Sequence, residues 1–390
     1  MKINFFKRCQ LFIVKQFIDL MNLCFFVAQR SLFKKKNNSQ NILIYKVGNI
    51  GDIICAVPSF IAIRKAYPRA KITLFTSPGQ KGAIGAKELL TGVWYLNKLE
   101  VYYTEDIDSW YKKINFIRNL KKEHYDLFIQ LPDDLVNFRT LLRNMIFAKA
   151  IGVKSALGFK IRTIQLFKKT QVDYSVKKSE VENLLNILED SGIKNEKVEF
   201  DFDISSDKKE KINKLLNDNF GKDYEKNLLI VLSPAGKREA NKWPAERFNK
   251  LAFYLIKNYN SKIIIIGGGG DLNDAQLIKK GLNSEVLVLA GKLDLLEIIE
   301  LIRRCSFLVS NDTGTAHMAA AVGLPVVGIY GVRNVFGSWF PYGKNHKILY
   351  HKFIDCDYRE EGCIKKSVVL ITFDEVARAC DRIIKELNKN

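Results

Sequence analysis

Asp52 is the carboxylate of this chain best placed to move a proton. It closes the run Asn41-Ile-Leu-Ile-Tyr-Lys-Val-Gly-Asn-Ile-Gly-Asp52, which reads as a buried strand over 42–47, a glycine turn and a helix start. Gly48 and Gly51 let the backbone turn tightly and approach a ligand closely. In open α/β sheets ligands bind outside the carboxyl ends of strands, which is where Asp52 stands. A carboxylate there either caps the helix or takes a proton, and by position alone the cap is the simpler role. Few other bases compete. The four histidines, His124, His317, His346 and His351, stand in no Ser-His-Asp or HExxH context, so serine-nucleophile and metalloprotease chemistry find no support.

A second strand-to-helix junction follows about 260 residues later, at Asn311-Asp-Thr-Gly-Thr-Ala-His317. Asp312, Thr313 and Gly314 open a helix whose exposed N–H groups and dipole suit an anion. Thr313 and Thr315 add hydroxyls, and His317, one turn in, can donate to a phosphate oxygen. An Asp/Thr cap above a packed histidine is the structural alternative; the downstream unit Gly323-Leu-Pro-Val-Val-Gly-Ile-Tyr-Gly331 favours phosphate. Upstream, Ser233-Pro-Ala-Gly236 follows another strand. Gly236 and Lys237 could wrap a pyrophosphate and Lys242 neutralise it, although a solvated loop would read the same way. Gly267-Gly-Gly-Gly270 lacks the GxGxxG spacing. Gly268 still permits close approach of a ribose or base, and Asp271 or Asp274 could accept a ribose hydroxyl. A flexible turn capped by aspartate is equally compatible.

These motifs, in this order, resemble glycosyltransferase family 9, the bacterial heptosyltransferases of lipopolysaccharide core. The resemblance rests on Lys46-Val-Gly-Asn-Ile-Gly-Asp52 with Pro58, on Tyr125-Asp-Leu-Phe-Ile129, on Ser233-Pro-Ala-Gly236 with Lys242-Trp-Pro244, and on Asp312-Thr-Gly-Thr-Ala-His317. It implies a GT-B arrangement of two Rossmann-like domains facing a central cleft, and inverting chemistry that needs no metal or other cofactor. The C-terminal half would hold a nucleotide sugar, usually ADP-heptose, and the N-terminal half an acceptor. Asp52 would be the general base. Lys242, Thr313, Gly314 and His317 match the family's donor-phosphate region, and the reading of the loops above adds Gly236, Lys237, Asp312 and Thr315 beside them. Gly48, Asn49 and Gly51, with the basic Arg139 and Arg143, would border a lipopolysaccharide-core or similar anionic acceptor. One departure stands out. Family members often carry a lysine two residues before the Trp of the W-P pair, where this chain has Asn241 and places its lysine at 242.

The elements that would position these residues alternate strand and helix. The 390 residues suggest two domains. In the first half, strands are expected at 42–47, 71–76 and 127–131, and helices at 53–67, 111–123 and 181–190. In the second, strands are expected at 228–232, 262–266, 286–289, 307–310 and 325–330. Helices there are expected at 245–258, 274–281, 293–304 and 314–322, with a last one at 374–388. Repeated β-α units imply parallel sheets covered by helices. The stretch 195–226 is charged and poor in apolar residues, so the domains are read as 41–215 and 226–373, preceded by a basic segment, 1–40, and followed by a C-terminal helix, 374–390.

The formal charge is +20, and the first forty residues carry +7 of it. Residues 139–178 hold ten Lys or Arg against the single acid Asp173. Such fields attract anions: nucleic acid, anionic lipid or a phosphorylated substrate. No nucleic-acid module is recognisable, so a nucleic-acid partner is not expected. Residues 3–32 contain no uninterrupted apolar run near the ~20 residues that span a bilayer. Their residues recur at helical spacing as Phe5, Cys9, Phe12, Gln16 (the one break), Leu20, Cys24, Val27 and Ser31, flanked by Phe6, Ile13, Phe17, Met21 and Ala28. That pattern suits a helix lying in the membrane interface, with Lys34-Lys-Lys36 adding attraction to anionic lipid. Packing on the protein body is the alternative. The expected location is therefore cytoplasmic, peripheral on the inner face of the cytoplasmic membrane. Seven scattered cysteines without a CxxC pair point to reduced thiols; Cys356 and Cys363 alone are too few for a zinc site. A glycosyltransferase with another nucleotide sugar, a nucleotide-sugar epimerase, and a non-catalytic nucleotide-sugar-binding protein of the same fold are the competing readings.

Overall fold

The computed structural model describes residues 5–32, 39–133, 136–161, 178–282, 284–332, 336–351 and 361–389. The expectations on Lys34–Lys36, on 162–177 of the basic stretch and on Cys356 lie outside the described residues. The chain divides into two compact units after Asp201.

The first unit begins with helix α1 (Phe5–Leu32). It continues as β1 (Asn41–Tyr45), α2 (Ile50–Ala66), β2 (Lys71–Gly79), α3 (Ala86–Leu90), β3 (Lys98–Tyr103) and α4 (Trp110–Lys122). Then come β4 (Leu127–Gln130), α5 (Phe138–Ala150), β5 (Ser155–Leu157) and α6 (Glu180–Asp190). Every strand pair is parallel, in the order β3-β2-β1-β4-β5. Ile42, Leu43 and Ile44 of β1 are fully buried. Helices cover both faces of such a sheet, which is why its central strand is a continuous apolar run instead of an alternating one. The chain adds β2 and β3 on one side of β1, then returns to add β4 and β5 on the other. That reversal opens a crevice at the carboxyl ends of β1 and β4.

Helix α1 is packed on this unit. Ile18 and Phe25 enter the core formed by Leu141, Met145, Phe128 and Phe159. Each such burial is worth roughly 1.5–3 kcal/mol. Asn22 pairs with the backbone of Ile161 in both directions: its Nδ2 donates to the carbonyl at 3.1 Å, and its Oδ1 accepts the N–H at 2.7 Å. The Lys149 ammonium donates to the Leu32 carbonyl at 2.9 Å. The inward face is therefore Ile18 and Phe25 with the half-buried Met21, Asn22 and Ala28, the first and last of these having been expected to flank the exposed stripe. The stripe singled out from the sequence, Phe12, Leu20, Cys24 and Val27, stays exposed.

The second unit runs α7 (Ser206–Phe220), β6 (Leu229–Ser233), α8 (Ala245–Tyr259), β7 (Lys262–Ile265), α9 (Leu272–Lys279), β8 (Val286–Val288) and α10 (Leu295–Arg303). It ends with β9 (Phe307–Asn311), α11 (Gly314–Ala321), β10 (Val326–Tyr330), β11 (Lys347–Tyr350), α12 (Glu361–Leu370) and α13 (Phe373–Leu387). The sheet is again parallel, in the order β11-β10-β9-β6-β7-β8, so the reversal falls between β6 and β9. Its core gathers Trp243, Phe248, Phe307 and, from α13, Val376, Cys380 and Ile383.

The boundaries differ from the expected ones at two places. Residues 202–215, assigned from sequence to the first domain, belong to the second. Helix α7 buries Ile212 and Leu216 there, and its Lys211 meets Glu297 of α10 at 2.7 Å while Lys208 pairs with Asp294. Helix α13, read as a separate terminal element, is part of the second core. Strands β3, β5 and β11 and helices α3, α5, α7 and α12 were not anticipated; β5 and α3 are only three and five residues long. β3 and β11 lie at sheet edges and are only half-buried, and α5 and α7 carry dense Lys, Arg or Asn that masks a narrow apolar stripe.

A fragment beginning at Phe202 is expected to unfold cooperatively in urea. One beginning at Lys226 should lose about 3–6 kcal/mol, the loss of two buried side chains, or fail to fold; circular dichroism of both fragments checks this.

Candidate functional site

Each unit presents a cluster of polar groups at its own strand-order reversal. In the first, β1 leads through Lys46 and Val47 to Gly48 and the start of α2. The Asn49 N–H donates to Asp52 Oδ2 at 2.7 Å, so Asp52 caps the helix. The carboxylate is half-exposed and makes no other hydrogen bond or ion pair among the described residues. Gly48 is required by space: a Cβ there would sit 2.4 Å from Asp52 Cβ and 2.9 Å from Oδ2. The loop is held against β2 by Lys46 N–H on the Phe75 carbonyl at 3.1 Å and Gly48 N–H on that of Ser77 at 3.4 Å. Gly51 lies in the first turn of α2, and Asn49 is exposed at its N-cap.

Two features here were not recognised as functional from the sequence. Lys46 is fully buried, and its Nζ finds no hydrogen-bond acceptor among the described residues; Glu180, also buried, stands 3.9 Å away. A cation so placed is costly to desolvate and persists only with a compensating carboxylate. The signal in the sequence is a lysine ending an apolar strand. The second feature lies at the neighbouring strand end. Gln130 of β4 accepts from Asn144 Nδ2 at 3.1 Å, and Asn144 Oδ1 accepts from Arg143 Nε and Nη2 at 3.3 and 3.2 Å. Arg143 is thus tied to the carboxyl end of β4, beside β1, and Arg139 lies exposed one turn earlier on α5.

In the second unit, parallel register brings Ser233 opposite Ser310. Four hydroxyls meet at this point: Ser233 with Thr315 at 2.8 Å, Thr313 with Thr315 at 2.7 Å, and Ser310 with Thr313 and Thr315 at 3.1 and 3.2 Å. Asn311 binds the Pro234 carbonyl at 2.7 Å and accepts from Trp243 N–H at 3.1 Å, which locks the loop after β6 to the end of β9. The N-terminus of α11, with Gly314 and Thr315 in its first turn and Asp312 just before its Thr313 cap, faces this hydroxyl cluster. Aligned N–H groups and hydroxyls make a donor-rich site for an anion. Spacing along the chain shows Thr313 and Thr315; the contributions of Ser233 and Ser310 appear only once β6 and β9 pair.

The lysine of the upstream loop is differently surrounded. Lys242 Nζ lies 2.9 Å from Asp274, 3.3 Å from Glu239 and 3.6 Å from Asp271. Burial works against its charge, but Asp274 and Glu239 outweigh that and hold its pKa above the ordinary lysine value. Gly236 accommodates its stem, since a Cβ there would come 2.8 Å from Lys242 Cγ. Asp271 also accepts the Gly268 N–H at 2.9 Å and so caps the glycine turn. Asp271 and Asp274, expected to receive a ribose, here hold Lys242. Lys237 is exposed, whereas Asn241 is buried and cannot stand in for the family's lysine.

His317 is buried on α11, edge-on to Trp339 with ring centroids 6.1 Å apart. Burial, reinforced by nearby His346, pushes its pKa from 6.5 to about 4. It is neutral at physiological pH, so whatever it offers an anion is a neutral N–H.

The family described as glycosyltransferase family 9 (heptosyltransferase) matches residues 114–368, well over half of the chain. The lipopolysaccharide core heptosyltransferase OpsX of Haemophilus influenzae is 22% identical over 301 residues, covering 76% of this chain and 80% of its own. A glycosyl transferase family 9 structure from Veillonella parvula superposes with a TM-score of 0.68 at 21% identity, over 90% of this chain and 99% of that one. The ADP-heptose lipopolysaccharide heptosyltransferase II of E. coli gives 0.62 at 19% identity, over 90% of this chain and 100% of that one. The fold shared with these structures is GT-B.

Two outcomes are expected. Gly48→Ala should cost about 1–3 kcal/mol in urea unfolding, because the new methyl displaces the Asp52 side chain. For His317, the unfolded chain takes a proton below pH 6.5 and the folded one only near pH 4. Stability should therefore fall through that window, by up to about 3 kcal/mol, and His317→Gln should flatten that part of the urea-midpoint profile.

Proposed function

The chain belongs to glycosyltransferase family 9, and from that premise we propose that it transfers a heptose from ADP-heptose to a lipopolysaccharide-core or similar anionic glycolipid, with inversion at the anomeric carbon. One observation carries the assignment of the base: Asp52 is half-exposed, and its carboxylate accepts the Asn49 N–H through one oxygen and makes no other hydrogen bond or ion pair among the described residues. A carboxylate so held is oriented by its own helix and keeps a lone pair for an incoming hydroxyl. ADP-heptose is supported by the donor named for the E. coli relative, and the acceptor class by the name of OpsX.

The steps follow from the groups present. The acceptor oxygen attacks the anomeric carbon from the face opposite the diphosphate, and its proton passes to Asp52. The bond from the anomeric carbon to the diphosphate oxygen breaks, and ADP leaves with the electron pair. Charge developing on that oxygen is met by the first-turn N–H groups of α11 and by the hydroxyls of Thr313 and Thr315; preorganised dipoles of this kind need no metal. Lys242 would exchange a carboxylate for a phosphate oxygen, or keep Gly236 in position. Arg139 and Arg143 would receive acidic groups of the acceptor. The reading puts the enzyme in the cytoplasm, on the inner face of the cytoplasmic membrane, where a nucleotide sugar meets a lipid-linked acceptor.

The test is turnover of ADP-heptose and a panel of other nucleotide sugars with a lipopolysaccharide-core acceptor, wild type beside Asp52→Asn. Asparagine preserves the cap but not the base. We expect kcat to fall about 10²–10⁴-fold with the unfolding midpoint and donor affinity retained, and wild-type turnover to persist in EDTA. Full activity in the variant would reduce Asp52 to a cap. Transfer from another sugar alone would discard the heptose. Donor binding without transfer from any sugar would indicate a non-catalytic binding protein.

A further inference from the structure

Single exposed apolar side chains are ordinary, but a contiguous set on one face marks an interaction surface. Helix α1 presents such a set on the side away from the body of the first unit: Phe12, Ile13, Phe17, Leu20, Leu23 and Val27 are each more than half exposed. At about 100° per residue they occupy one broad face, opposite Ile18 and Phe25. Asn22 and Lys149 fix the helix against the unit, so this face points outward in a defined direction. Helix α5 packs beside α1. Its Phe138 ring meets that of Phe25 in a tilted contact at 5.3 Å, and Phe138, Leu142 and Ile146 form an exposed row at i, i+4 and i+8. Beside that row run the exposed cations Arg139 and Arg143, with Lys149 beyond them, and Lys15 is exposed on α1. The two helices contain one acid between them, Asp19.

We propose that α1 and α5 form a single docking face by which the first unit lies on an anionic lipid bilayer, with α1 in the plane of the interface. Charge selects the occupant. A second copy of this chain would bring the same cations face to face, whereas anionic headgroups neutralise them while the acyl layer takes the apolar row. No helix among the described residues is long and apolar enough to cross a membrane, which suits a face that lies on the bilayer instead of an anchor that pierces it. The face also adjoins the chemistry of its unit, since Arg143 reaches the carboxyl end of β4 through Asn144 and Gln130. The inference rests on the membrane location proposed above and deepens it by naming the face that makes the contact; it would hold for any lipid-linked acceptor.

The experiment is sedimentation of the full chain with phosphatidylglycerol–phosphatidylcholine vesicles, compared with phosphatidylcholine alone and with raised salt. Three proteins are used: wild type, Phe17→Ser/Leu20→Ser/Leu23→Ser on α1, and Leu142→Ser/Ile146→Ser on α5. Their urea midpoints are measured alongside, to show that each is folded. Wild type should bind anionic vesicles, weakening with salt, and each variant should lose affinity by roughly tenfold or more. Loss in the α1 variant alone would overturn the two-helix face. Undiminished binding by both variants would overturn it entirely. Wild type that stays off vesicles and is a dimer by light scattering, becoming monomeric in the variants, would show that a second copy covers the face. Transfer to a delipidated core oligosaccharide should be unchanged in both variants, so failure of vesicle binding and failure of the transferase reading are seen separately.

Discussion

The reversal of strand order is the constraint on which the rest depends. A parallel sheet can add strands beside its first strand on one side only until the chain returns to the other side. Where it returns, the crossovers diverge and the carboxyl ends of two central strands are left uncovered. In the first unit those strands are β1 and β4, and in the second β6 and β9. The polar groups that matter stand at these ends: Asp52 after β1, Gln130 on β4, Ser233 on β6, and Thr313 and Thr315 after β9. Their backbones are paired in register with fully buried apolar strands, so the loops they begin have fixed origins.

Within that frame, capping and catalysis are compatible roles for Asp52. The hydrogen bond from Asn49 orients the carboxylate and consumes one oxygen, and the missing Cβ of Gly48 lets the side chain lie close against the turn. The hydroxyl cluster of the second unit follows a different logic. Its hydroxyls are neutral, His317 is held neutral by burial, and Lys242 is already surrounded by Asp271, Asp274 and Glu239. Field strength there comes from aligned N–H groups and hydroxyls more than from free cations.

Much of the architecture was legible along the chain because parallel strands are continuous apolar runs and their helices have ordinary caps. β1, β4, β6, β7 and β9, and the helices after each of them except β4, stand within a few residues of expectation. Misses have a physical pattern. Edge strands such as β11 bury half their surface and have no two-sided apolar run. Helix α7 is so charged that its two buried residues, Ile212 and Leu216, look incidental until α10 is beside it. The alternation of apolar residues in α1 was visible, but not which of its two apolar faces would pack: Asn22 decides that, through a backbone partner 139 residues away.

By itself, the order of residues determined the alternating α/β grammar, the two glycine turns and the candidacy of Asp52, Thr313, Gly314 and Thr315, because each of these depends on neighbours close in sequence. Tertiary structure decided everything that depends on partners far apart. It joined Ser233 to Thr315 across two strands, gave Lys242 two of its three carboxylates, Asp271 and Asp274, buried Lys46 against Glu180, and neutralised His317. It also turned one face of α1 inward and left the other to solvent. The reason is common to all of them. Hydrogen bonds, ion pairs and desolvation act over a few ångströms in space, and only the folded sheets bring residues so distant in sequence within that range.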